Sequence, residues 1–225
     1  APDVRRLLEL ARRGLPAGIR SAVEVGFIAV VTTLAARVDT VSLAAHQITL
    51  NLASLTFMVP LGLSAGTAVQ VGNALGAGRP ALARQAGWTG IATGAIFMAV
   101  CALGFVAFPG WLLHLYTTDT GVIATATPLL FCAAAFQLFD GVQVIATGAL
   151  RGSGDTRTPL LANLAAHWGI GLPLGWILCF GWGFGVVGLW AGLSAGLVLV
   201  GSILVGVWAW RARRLSSMRA RSGPG

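Results

Sequence analysis

The long unbroken apolar runs set the limits on what this chain can become. Six of them meet or exceed the length of about 20 residues that a helix needs to cross a bilayer. They are Leu15–Ala36, Val41–Leu75, Ala86–Phe108, Val122–Leu150, Pro159–Phe180 and Gly185–Trp210. Barrel strands alternate in polarity and stop after about ten residues; these runs do neither. A helix satisfies its own backbone groups in lipid, so the runs predict an all-α membrane protein, a six-transmembrane-helix bundle. Only 10% of the 225 residues are charged, against roughly 25% in a soluble domain.

The charges that remain are punctuation. Net charge is +8 and every basic residue is arginine. Five precede or open the first run: Arg5, Arg6, Arg12, Arg13 and Arg20. Arg79 and Arg84 follow the second run, and Arg151 and Arg157 the fourth. Arg211, Arg213, Arg214, Arg219 and Arg221 follow the sixth. If the runs simply alternate across the membrane, all of these fall on one side, and Arg37 alone on the other. Arginine marks the cytoplasmic side, so both termini are expected there. The pattern is a topology signal and not a nucleic-acid footprint. Residues 1–14 read as an amphipathic lead-in, since Val4, Leu7, Leu8, Ala11 and Leu15 share one helical face, and 211–225 read as a basic cytoplasmic tail. The charged opening does not resemble a signal peptide. It lacks an initiator Met, as a fragment would.

Several motifs carry no chemistry. "GNALGAGRP" and "RGSGDTRTP" are glycine-rich, but a chain without lysine has no Walker A motif, and neither stretch follows a strand. Both read as turns between helices. Cys101, Cys132 and Cys179 lie singly in apolar runs, with no metal or disulfide spacing. Nothing calls for an enzyme or an organic cofactor. Gly188, Gly192 and Gly196, like Gly90 and Gly94, are spaced for close helix packing within one bundle. Pro60, Pro128 and Pro173 interrupt three runs, and such breaks often mark a binding site or a moving part.

Two carboxylates stand inside the runs, Glu24 and Asp140. A charge at the centre of a membrane helix costs about 3 kcal/mol or more, which makes a functional role the first expectation. At 1.5 Å per residue Glu24 lies ~14 Å from one end of its run and Asp140 ~15 Å from the same side, so their depths match. Gln137, Asp140, Gln143 and Thr147 form a polar stripe at three- and four-residue steps, and Gln47, Asn51 and Ser54 form another. Facing inward, such stripes suit a cation or proton site. His167, beside the Gly/Pro break, is open to packing, substrate contact or proton relay. His46 and His114, near the outer ends of their runs, are assigned nothing.

The segment "AAHQITLNLASLTFMVPLGLSAGTAVQVGNALGAGRP" (44–80) resembles the signature of the MATE family, the multidrug and toxic compound extrusion transporters, and its NorM-like branch in particular. "EVGF" at Glu24 and "FQLFDGVQVIATGALRGSGDT" at 136–156 are similar to the second half of that branch. The resemblance implies the C-terminal six-helix lobe of a twelve-helix antiporter in the plasma (inner) membrane, which expels cationic or amphipathic compounds in exchange for Na⁺ or H⁺. It implies a cation or proton site at Glu24 and Asp140, with Gln47, Asn51, Gln137, Gln143, Thr147 and His167 as cavity-lining candidates. No metal beyond Na⁺ at the two acids is implied. Two positions depart from the pattern: Phe136 lacks the hydroxyl of a tyrosine found in some relatives, and His167 replaces an aromatic. The lobe implies partners: small-molecule substrate, lipid bilayer, and either a missing N-terminal six-helix lobe or a second copy of this chain. The rival expectations are a flippase for a lipid-linked substrate, which would favour a cationic cavity, and a non-transporting half-size membrane protein.

Overall fold

A computed structural model of the chain describes residues 22, 23 and 25–221, with the side chains of 216–221 excepted. The lead-in, the first residues of the first apolar run, Glu24 and the last four residues lie outside the described residues. The described chain is helical throughout: α1 (Val25–Val38), α2 (Thr40–Gly76), α3 (Pro80–Ala107), α4 (Pro109–His114) and α5 (Thr120–Gly152). A fifth rod, Arg157–Gly181, is assembled end to end from α6 (Arg157–Asn163), a π-helical stretch (Leu164–Gly171), α7 (Leu172–Trp176) and a second π stretch (Ile177–Gly181). The last helix is α8 (Gly185–Arg221). Five of these helices are long and apolar enough to cross a membrane, and α1 is a shorter apolar helix. The bundle is therefore the all-α membrane architecture that the apolar runs predict.

The helix ends follow from local chemistry. Asp39 starts α2: the Ser42 N–H donates to its Oδ1 at 2.6 Å and the Ser42 hydroxyl to its Oδ2 at 2.8 Å. These bonds hold the Asp39 carboxyl below its ordinary value. Asp119 does the same for α5, accepting from the N–H groups of Gly121 and Val122. Side-chain caps of this kind satisfy donors that the first helical turn leaves bare. The two glycine-rich stretches are indeed turns. Gly78 (φ +68°) and Gly154 (φ +86°) adopt the left-handed backbone that glycine takes at no steric cost. The short α4 carries no signal in the apolar runs, because six residues fill the link between two spans.

The prolines act differently from one another. α2 and α5 stay α-helical through Pro60 and Pro128. Around Pro173 the hydrogen bonding changes, and π turns lie on both sides of α7. Proline offers no N–H to the preceding turn, and a π turn re-pairs backbone groups at i→i+5.

α5 is the central helix and packs against α2, α8 and α3. Small residues set the spacing. The Ser64 hydroxyl on α2 donates to the Val144 carbonyl on α5 at 2.7 Å, and a Cβ at Gly148 would strike the Ser64 carbonyl. On α8, Gly192 lies against the backbone of Gly175, and Gly188 against Leu178. Gly90 and Gly94 meet Thr67 and Ile145. The small-residue spacings thus serve packing within one bundle.

Two apolar clusters form the core. One gathers Phe105, Leu113, Leu129, Leu189 and Trp190 near the Asp39/Asp119 end. The other gathers Val71, Ile91, Ile145, Leu204 and Trp208 towards the arginine-rich end. That second end is clasped by Asp155, which accepts from Arg211 at 2.6 Å and caps α6 through the Thr158 N–H and hydroxyl. Burial pushes the Asp155 carboxyl up, but the Thr158 bonds and the Arg211 guanidinium outweigh it and hold the group below its ordinary value. A carboxyl depressed in the folded state stabilises above its unfolded value and loses that contribution as the pH falls through the folded one. Asp155→Ala is expected to cost about 1 kcal/mol as a lost cap and to flatten the acid limb of stability. Thermal unfolding in detergent between neutral and acid pH checks both effects.

Candidate functional site

Where the two clusters meet, the bundle forms a half-open cavity of about 230 Å³. Its walls come from α1, α2, α5, the end of α6, the first π stretch and α8. Five aromatic rings face it: Phe27, Phe57, Phe136, Trp168 and Trp190. The half-buried Asp140 carboxylate reaches the same space from α5. A carboxylate among aromatic faces attracts a cation twice, by charge and by the ring quadrupoles.

The polar groups around Asp140 are ordered. The Gln143 amide N–H donates to Asn163 Oδ1 at 2.9 Å, and the Asn163 amide N–H donates to the Pro159 carbonyl at 2.8 Å. Gln143 Oε1 and Trp168 Nε1 are buried with no hydrogen-bond partner among the described residues. Both are shielded from the cavity as well as from solvent, so they are a local cost of packing this wall. His167 Nδ1 lies 3.2 Å from the Asn163 carbonyl, and the Phe27 ring meets the His167 ring edge-on at 5.1 Å. The end of α6 carries Asn163, and the π stretch that follows carries His167 and Trp168, onto this one wall.

The residues singled out by sequence separate into groups. Asp140, Gln143 and His167 line the cavity, as does Ser54. Gln137 and Thr147 are buried, with side-chain polar atoms that lack partners, but do not line it. Gln47 and Asn51 are exposed, and Asn51 accepts from the Tyr116 hydroxyl at 2.7 Å. α2 is turned so that the adjacent stripe, His46, Leu50, Ser54 and Phe57, faces inward. Glu24 lies outside the described residues; Val23 and Phe27, on either side of it in sequence, line the cavity. Among the described residues no three His, Cys, Asp or Glu side chains gather as a metal site.

Sequence reasoning passed over two cavity residues. Asn163 sits beside a span boundary, and only its contact with Gln143 reveals it. His46 is 1% exposed and accepts at Nδ1 from Trp190 Nε1–H at 3.1 Å. Its available signal was its register with Leu50, Ser54 and Phe57.

A family model, MatE, matches residues 16–177, more than half of the chain. The chain belongs to the MatE family. Among curated MatE relatives, a protein of Mesorhizobium japonicum named "Probable multidrug resistance protein NorM" is 43% identical over 216 residues, covering 94% of this chain and 46% of that one. A protein of the same name from Deinococcus radiodurans is 44% identical, covering 94% and 47%. The fold matches solved MATE structures. The eukaryotic transporter AtDTX14 superposes with a TM-score of 0.81 at 24% identity, over 93% of this chain and 48% of that one. An inward-facing multidrug resistance MATE transporter of the MOP superfamily gives 0.83 at 16% identity, over 99% and 51%. The MatE chain described here spans about half the length of the curated relatives it matches. Membership in this family, with five helices long and apolar enough to cross a bilayer, makes it an integral membrane protein and not an enzyme.

Proposed function

We propose that the chain is one lobe of a secondary active multidrug efflux antiporter, which exchanges cationic or amphipathic compounds for Na⁺ or H⁺. The observation that carries this reading is the Asp140 carboxylate in a largely aromatic and aliphatic cavity between membrane helices. Asp140 and Glu24 are proposed as the ion site, with Gln143 and His167 beside it. Residues 15–210 form the transmembrane unit, 1–14 an interfacial lead-in and 211–225 a basic tail. The arginine distribution favours cytoplasmic termini in the plasma membrane. A second lobe, either an N-terminal six-helix half or a second copy of this chain, completes the pathway, and the exposed Gln47 and Asn51 face it. Substrate and ion then weaken each other's binding reciprocally, as linkage requires.

A flippase for anionic lipid-linked substrates is disfavoured, since no arginine lines the cavity among the described residues and the chain has no lysine. Vesicles holding the protein, loaded with a cationic dye, test the reading. An imposed pH gradient or an imposed Na⁺ gradient, applied separately, is expected to drive dye movement. Dye flux indifferent to both gradients would sink the antiporter assignment.

A further inference from the structure

His46 sits in a hydrogen-bond chain that fixes its proton. Trp190 Nε1–H is a donor only, and it points at His46 Nδ1 from 3.1 Å. Nδ1 must therefore accept, which makes the ring neutral with its single proton on Nε2. That nitrogen lies 3.1 Å from the Thr32 hydroxyl oxygen, which can accept it. The imidazole thus joins three helices: Thr32 on α1, His46 on α2 and Trp190 on α8. The consequence reaches the cavity directly, because Trp190 stacks on Phe136 at 5.8 Å between ring centres, and Phe136 is one helical turn from Asp140.

We infer that His46 is a positioning residue whose neutral Nε2–H form ties α1 to α8 through Thr32 and Trp190, and whose uptake of a second proton unlatches Trp190 from the cavity wall. With both ring nitrogens protonated, the imidazole and indole N–H groups would face each other as two donors, and the Trp190 bond has no electron pair left to use. The described titratable groups on the surrounding walls are Asp140 on α5 and His167 on the π stretch; the facing residues of α1 and α8, Thr32 and Trp190, carry none. The inference rests on this cavity being the transport site proposed above, but its test does not need transport.

The test uses the chain in lipid nanodiscs with ¹⁵N-labelled histidine and tryptophan. The His46 resonances, assigned by their loss in His46→Gln, are expected to show an unprotonated Nδ1 and a protonated Nε2 at neutral pH. The Trp190 indole N–H, assigned by its loss in Trp190→Phe, is expected downfield at neutral pH and to lose that position on acidification. Glutamine can accept from Trp190 and donate to Thr32 but does not titrate. In His46→Gln the indole position should therefore persist at every pH. A proton found on Nδ1 at neutral pH, or the same pH response of Trp190 in wild type and His46→Gln, overturns the inference. Dye efflux that ignores ion gradients would instead overturn the transport reading and leave these spectra as they are.

Discussion

Asp140→Asn is expected to abolish the gradient-driven efflux proposed above while the protein still inserts and folds. The substitution keeps the side chain's shape and removes its charge and its titration. Insertion should become easier, because a carboxylate in the middle of a membrane helix costs about 3 kcal/mol that an amide largely avoids. Coupling should fail, because the described cavity wall then holds no anionic group to prefer a cation over an empty site. The expected loss in dye efflux is at least about 100-fold, which corresponds to a coupling free energy near the top of the usual 1–3 kcal/mol range. Size-exclusion profiles in detergent should match wild type. Asp140→Glu restores the charge and should recover part of the activity. Wild-type efflux by Asp140→Asn would rule Asp140 out as the ion site.

The second large effect is on stability. A Cβ at Gly192 would fall on the backbone N and Cα of Gly175 and 2.9 Å from the Gly171 carbonyl oxygen. Those obstacles are main chain, so no rotamer change relieves the contact. Inserting methyl groups into a packed core costs about 1–3 kcal/mol, and Gly192→Val should reach or pass the upper figure by forcing α8 off the fifth rod. Gly104 is the control, since nothing lies within 4 Å of a Cβ placed there. Gly104→Ala should be neutral or gain up to about 1 kcal/mol from helix propensity. Thermal unfolding of the two variants in the same detergent decides the matter. Equal stabilities would show that α8 and the rod separate without cost.

The apolar runs made the bundle legible, because length and polarity alone decide whether a helix crosses lipid. They could not reveal the π turns, since an i→i+5 bond leaves no mark in an already apolar stretch; Pro173 was the visible trace. The orientation of α2 was harder to read. Gln47 and Asn51 look inward-facing if every exposed surface meets lipid. In the two-lobe arrangement proposed above, the outer face has a third kind of surroundings, and polar side chains on it need not touch lipid. Asp140 was legible because its cost was visible in the sequence itself. His46 was not, because its hydrogen-bond partners lie 14 and 144 residues away.

The two main helix contacts differ in mechanical character. Between α2 and α5 a hydroxyl–carbonyl bond crosses the interface, so any axial displacement must break it. Between α8 and the fifth rod the surfaces meet through Gly192, Gly175 and Gly171, backbone on backbone. Leu189 closes over Gly175, but the glycines themselves project no knobs, and knobs are what give an interface its register. The first contact behaves as a rivet and the second as a bearing: intolerant of added bulk, yet with little friction along its length.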